Sequence, residues 1–130
     1  MSNKACPFCE PDPSVIMLET TNCRVLWDGF PVSPGHALIV PKAHILDWFS
    51  APAELQHELA DLIDLTKQEI EKDHQPDGYN VGFNAGKAAG QTVDHLHVHV
   101  IPRYTGDQAD PRGGVRWVLP EKAAYWEGEG

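Results

Sequence analysis

Gly90-Gln91-Thr92-Val93-Asp94-His95-Leu96-His97-Val98-His99-Val100-Ile101-Pro102-Arg103 sets three histidines at strict two-residue spacing, interleaved with Leu96, Val98 and Val100. A β-strand sends successive side chains to opposite faces, so this alternation predicts three imidazoles on one surface and the aliphatic groups on the other. Neighbouring rings would then stand roughly 7 Å apart, near enough to share one phosphate-sized ligand or one metal. A single strand histidine is usually a half-buried polar residue. Three in a row are not, because each one buried without a partner costs about 1–3 kcal/mol. The pattern therefore predicts either a metal cage or a histidine nucleophile with helpers, and an imidazole near neutrality suits both.

Working outward, the rest of the chain reads as an antiparallel α+β design. Val15 to Thr20 and Arg24 to Trp27 are short β-prone runs that suggest a hairpin, and His36 to Val40 reads as a central strand closed by Pro41. Gly78 to Asn84 is a further strand before the histidine run. Between them, Ser50-Ala51-Pro52 marks a helix start, with Leu55, Leu59, Leu62, Ile63, Thr66 and Ile70 at helical spacing. His57 and His74, among charged residues, are read as facing solvent. The 130 residues predict one domain over 1–130, with a cysteine knuckle at 1–12 and an arm at 104–130. In that arm Arg116 and Trp117 are candidates for phosphate and base contacts.

A net charge of −9 argues against bulk attraction to nucleic acid or an anionic membrane. No apolar run approaches the ~18 residues that cross a bilayer, and the start lacks the apolar core of a signal peptide, so a cytoplasmic location is expected. Lys42, Lys87, Arg103, Arg112 and Arg116 are the cations available to a phosphate ligand. Gly86-Lys87-Ala88 lacks the ending and spacing of a phosphate-binding P-loop.

Cys6-Pro7-Phe8-Cys9 is a C-x-x-C pair, which in this context reads as zinc or redox chemistry before a structural disulfide. The βαβ pattern of a redox fold does not follow it. Zinc would need two more donors, and the alternative is a pair of free thiols. Cys23, at a strand start, reads as a small buried residue.

The run from Gly90 to Arg103, together with Gly82-Phe83-Asn84-Ala85-Gly86 and with Gly35-His36 through Pro41-Lys42-Ala43-His44, resembles the histidine-triad (HIT) superfamily of nucleotide hydrolases and transferases. The Gln91-Thr92 pair and the Val100-Ile101-Pro102-Arg103 tail are more similar to its fragile-histidine-triad branch of diadenosine polyphosphate hydrolases. The cysteine pair departs from that branch. The resemblance implies a sheet of about five strands with one long helix and a short N-terminal helix or turn, commonly doubled in a homodimer. It implies a nucleotide substrate, His97 as nucleophile through a covalent nucleotidyl-histidine, and His99 and Gln91 on the phosphate or leaving group. Asp28 would hold ribose, with Asn84, Gly90 and Thr92 near the sugar-phosphate and His36 supporting the triad. Trp27 or Phe30 would flank the base. Family members carrying a cysteine pair complete it with two histidines, here His44 and His95, which implies a structural zinc and no organic cofactor. Two other readings stay open: a nucleotide-binding or signalling module with negligible turnover, and a metallohydrolase with one metal on His95, His97 and His99.

Overall fold

The computed structural model describes residues 6–129. The start of the 1–12 knuckle and the last residue of the arm lie outside the described residues. Strands β1 (Ile16–Glu19), β2 (Cys23–Trp27), β3 (Ala37–Pro41), β4 (Gly78–Gly82) and β5 (Val98–Arg103) form one antiparallel sheet in the order β1-β2-β3-β5-β4. Helix α1 (Ala53–Ile70) bridges β3 and β4, and a short α2 (Pro120–Ala123) lies in the arm. The N-terminal turn at residues 7–9 and a single 3₁₀ turn at Pro13–Val15 supply the expected short N-terminal element. No helix among the described residues is long and apolar enough to cross a membrane.

The strand period sorts side chains into two layers. Val25, Ile39, Val98 and Val100 face α1, whose Leu59, Leu62 and Ile70 complete the main core. Leu26, Leu38 and Val40 point the other way, against Phe8, Val15 and Ile16 of the N-terminal segment. Leu38 pairs with His99 and Leu26 with Leu38, so His99 shares the N-terminal face. The helix places its buried stripe, Leu59, Leu62, Thr66 and Ile70, at i, i+3, i+7 and i+11, as its spacing predicts. Its Glu58 ties the β1–β2 hairpin down through Thr20 and Asn22, bonds that hold its carboxyl at about 2.

The aliphatic alternation survives: Leu96, Val98 and Val100 are all buried in the core on the α1 side. The strand itself starts later than the spacing predicts, at Val98. Ahead of it the chain leaves the sheet, and the Leu96 amide donates to the Ile45 carbonyl at 2.7 Å. His95 and His97 therefore stand on an irregular segment rather than on a strand. His74 is also not free in solvent: its ring lies 6.4 Å from that of Trp27.

Candidate active site

The three histidines serve two separate centres. His95 is fully buried, and its Nε2 donates to the Pro41 carbonyl at 2.9 Å. That bond leaves the lone pair on Nδ1, which points at Cys6 Sγ (3.4 Å), Cys9 Sγ (3.4 Å) and His44 Nδ1 (3.2 Å). Cys9 Sγ also lies 3.1 Å from His44 Nδ1. Four donors converge on one point, at separations close to the roughly 3.3–3.8 Å between ligands on a tetrahedral zinc. Two of them are sulfurs, the chemistry that closed zinc sites prefer. Burial, reinforced by the Cys6 thiol, pushes the Cys9 thiol up to about 11, so a thiolate at Cys9 calls for a cation beside it. Cys6, Cys9, His44 and His95 thus form a group that could hold a metal ion. Cys23 is a buried free thiol of the core.

His97 and His99 line a different space, a cleft of about 490 Å³ on the N-terminal face of the sheet. Its walls are Phe8, Leu26, Trp27, Leu38 and the loop after β2, with Asp28, His36, Asn84 and Thr92 contributing polar groups. His97 Nδ1 donates to the His95 carbonyl at 2.8 Å. Its Nε2 consequently carries the lone pair. The two rings lie 5.2 Å apart.

A directed chain sets the other tautomers. The Val32 amide, which can only donate, gives its hydrogen to His36 Nδ1 at 3.1 Å. His36 must then donate from Nε2, towards His99 Nδ1 at 3.0 Å and Asp28 Oδ2 at 3.3 Å. His99 accepts at Nδ1 and holds its proton on Nε2. Burial lowers the His36 and His99 values, His99 to about 4 with the neighbouring His97 and His36 adding to the effect, so both rings are neutral near pH 7. The His36–Asp28 contact is therefore a hydrogen bond to a neutral ring. Asp28, His36 and His99 are close enough to surround a cation. The Val32 amide opposes that use, since a metal on His36 Nε2 would force a proton onto Nδ1, facing another N–H.

Several expected contacts come out differently. Gln91 is buried with every polar atom committed to backbone: Oε1 accepts from the Gly86 amide at 2.9 Å, and Nε2 donates to Leu46 and Val93 carbonyls at 2.7 and 3.0 Å. It braces the loop ahead of the histidines instead of reaching a phosphate, because no donor is left over. Gly90 does not line the cleft; its φ of +92° closes the turn after Lys87–Ala89. His95, His97 and His99 do not surround one point, since the His95 ring turns to the cysteines. Arg116 donates to the Ala123 and Lys122 carbonyls and lies 4.8 Å from the Tyr125 ring centre, while Trp117 donates to the Arg112 carbonyl, so the arm folds on itself. Arg103 is held by Asp107 and Asn80. Among the described residues no lysine or arginine lines the cleft, which leaves imidazoles and backbone amides to meet an anion.

Phe8 is among the cleft-lining residues that no motif in the sequence singled out. Its ring lies 4.9 Å from that of His97 and 5.8 Å from that of His95. An aromatic between two paired cysteines was the available signal. Trp27 and Phe30 do border the cleft.

The HIT domain family model matches residues 10–106. An adenosine 5'-monophosphoramidase of Schizosaccharomyces pombe is 38% identical over 108 residues, 76% of this chain and 74% of that protein. An adenylylsulfatase of Arabidopsis thaliana is 33% identical over 106 residues, 78% of this chain but only 54% of that protein. A crystal structure of a zinc-bound histidine triad family protein from Mycobacterium smegmatis superposes with a TM-score of 0.73 at 29% identity, covering 99% of this chain and 100% of that one. With the family model spanning the sheet, the helix and His36, His44, His95, His97 and His99, the chain belongs to the HIT family, while Cys6 and Cys9 lie ahead of the matched residues.

Proposed function

We propose that this protein releases or transfers a nucleoside monophosphate from adenylyl conjugates by attack of His97 Nε2 on the α-phosphorus. The observation that carries the reading is the His97 Nδ1–H bond to the His95 carbonyl, which fixes the tautomer and aims the lone pair into the cleft. A neutral imidazole avoids the repulsion that an anionic nucleophile meets at a phosphate. As the Nε2–P bond forms, the bond from phosphorus to the leaving group breaks and its electron pair departs with that group. The positive charge left on the nucleotidyl-imidazole is stabilised by the Nδ1–H bond. His99 donates from Nε2 to the phosphate oxygens or the departing atom, positioned by His36 and Asp28. Water then attacks phosphorus and releases its proton to solvent, the Nε2–P bond breaks with its electron pair returning to the imidazole, and the monophosphate leaves.

Asp28, with its Oδ1 taken by the Phe30 amide at 2.8 Å, offers its remaining lone pairs to ribose hydroxyls, and Asn84 and Thr92 border the sugar-phosphate. The names of the Schizosaccharomyces and Arabidopsis relatives favour phosphoramidate and adenylyl sulfate conjugates. Dinucleoside polyphosphates, the fragile-histidine-triad substrates, share the same α-phosphate chemistry. Zinc on Cys6, Cys9, His44 and His95 would be structural, clamping the N-terminal turn to the segment ahead of His97. The homodimer that the resemblance implies would form along an edge of the sheet, β1 or β4.

Rapid mixing with adenosine phosphoramidate and, separately, diadenosine polyphosphates, followed by mass spectrometry of the protein, tests the reading. Wild type is expected to show a transient adduct of one AMP and the His97→Ala variant none, with turnover lost by at least about 10³-fold. Binding without turnover in wild type would leave the signalling-module reading. Surviving turnover in the variant would remove the nucleophile.

A further inference from the structure

The metal-type centre and the catalytic cleft are not independent. Phe8 sits inside the Cys6–Cys9 turn, and its ring packs on His97 at 4.9 Å with the planes inclined by 48°. A single hydrogen bond, from Nδ1 to the His95 carbonyl, opposes rotation of the His97 ring about its Cβ–Cγ bond, and that rotation would break it and swing Nε2 away from an in-line approach. Phe8 supplies the lateral wall that stops this rotation. The ring in turn is held from both sides, because Cys6 and Cys9 converge with His44 and His95 on one point. Among the described residues the turn otherwise keeps two long hydrogen bonds, Glu10 N–H to the Cys6 carbonyl at 3.4 Å and Arg24 to the Cys9 carbonyl at 3.5 Å, together with the packing of Phe8 on the Leu26, Leu38 and Val40 cluster, which is non-directional and does not by itself fix the ring's angle.

We infer that the Cys6–Cys9–His44–His95 centre orients the nucleophile through Phe8, making Phe8 a positioning residue whose effect depends on occupancy of that centre. The inference rests on the assignment of His97 as nucleophile. The same cation would also act through the backbone of His95, but that route leaves Phe8 irrelevant, so the two are separable by substitution.

The test uses the full chain, zinc-loaded and chelator-treated, as wild type, Phe8→Ala and Phe8→Leu. Long-range ¹H–¹⁵N spectra of the His97 ring report its tautomer and mobility without any turnover, and core methyl signals report that the fold persists. In loaded wild type a single Nδ1-protonated form is expected, and chelation should broaden or average it while kcat for adenosine phosphoramidate falls about tenfold. Phe8→Ala should show the averaged ring already when loaded and no further response to chelation; Phe8→Leu, which keeps part of the wall, should fall between. KM rises in both variants because Phe8 also borders the cleft, so the diagnostic is the lost response to chelation. A His97 signal in wild type indifferent to chelation, or one that moves equally in Phe8→Ala, overturns the inference. If His97→Ala keeps its turnover while the ring signals behave as expected, the assignment of the nucleophile fails and the coupling between the two centres stands.

Discussion

At the scale of single residues, the site is governed by which ring nitrogen keeps its proton. A backbone amide at Val32 and a backbone carbonyl at His95 are the fixed ends from which the tautomers of His36, His97 and His99 follow. His99 carries the clearest pH signature. Its folded value of about 4 lies below the ordinary 6.5, so the unfolded chain binds more protons between these values. The contribution is fully present above about pH 6.5 and is lost as pH falls through about 4. Urea denaturation across that window should show stability dropping by about 3 kcal/mol, and His99→Asn should flatten the slope. Gln91 is the opposite case, a polar residue in the motif that works for the fold. Replacing it with Leu strands the Gly86 amide and the Leu46 and Val93 carbonyls, and should cost about 2–4 kcal/mol in chemical denaturation.

At the scale of elements, the strands and helix were legible because each carries a period of its own. The loops that hold the site were legible only in part. Gly35 shows why: its φ of +90° suits glycine, and a Cβ there would approach Ile70 Cγ2 to 3.1 Å and Pro102 Cγ to 3.3 Å. Both the turn and the close packing of α1 on β5 require a missing side chain, and only the turn is visible in Pro34-Gly35. Gly35→Ala is expected to destabilise by about 1–3 kcal/mol and to loosen His36, measurable as a lowered thermal midpoint together with reduced kcat. The late start of β5 has a similar origin. The Ile45 carbonyl captures the Leu96 amide, and that partner is distant in sequence.

At the scale of the whole molecule, the sheet separates two kinds of work. The α1 side holds the main apolar core, and the opposite side carries the cleft, closed along one wall by the N-terminal segment. The Cys6–Cys9 turn is the point where that segment meets the histidines. Chelation should therefore lower the thermal midpoint by roughly 5–10 °C and release about one zinc per chain, read by calorimetry with a colorimetric metal assay. Cys9→Ser should reproduce the shift without chelator. An unchanged midpoint and no released metal would leave the four residues as an unliganded hydrogen-bonded cluster.

The sequence alone determined the α+β sheet-and-helix plan, the buried aliphatic side of the histidine run and the candidacy of His97 and His99, because alternation and helical spacing are local properties of a chain. It also brought Cys6, Cys9, His44 and His95 forward as a set through resemblance. Only the tertiary structure decided that His95 parts from its neighbours, that Gln91 braces a loop and that Arg116 turns inward. It alone placed Phe8 against His97. Each of these depends on where a hydrogen-bond partner or a ring arrives from a remote segment, and long-range closure of that kind leaves no periodic trace in the order of residues.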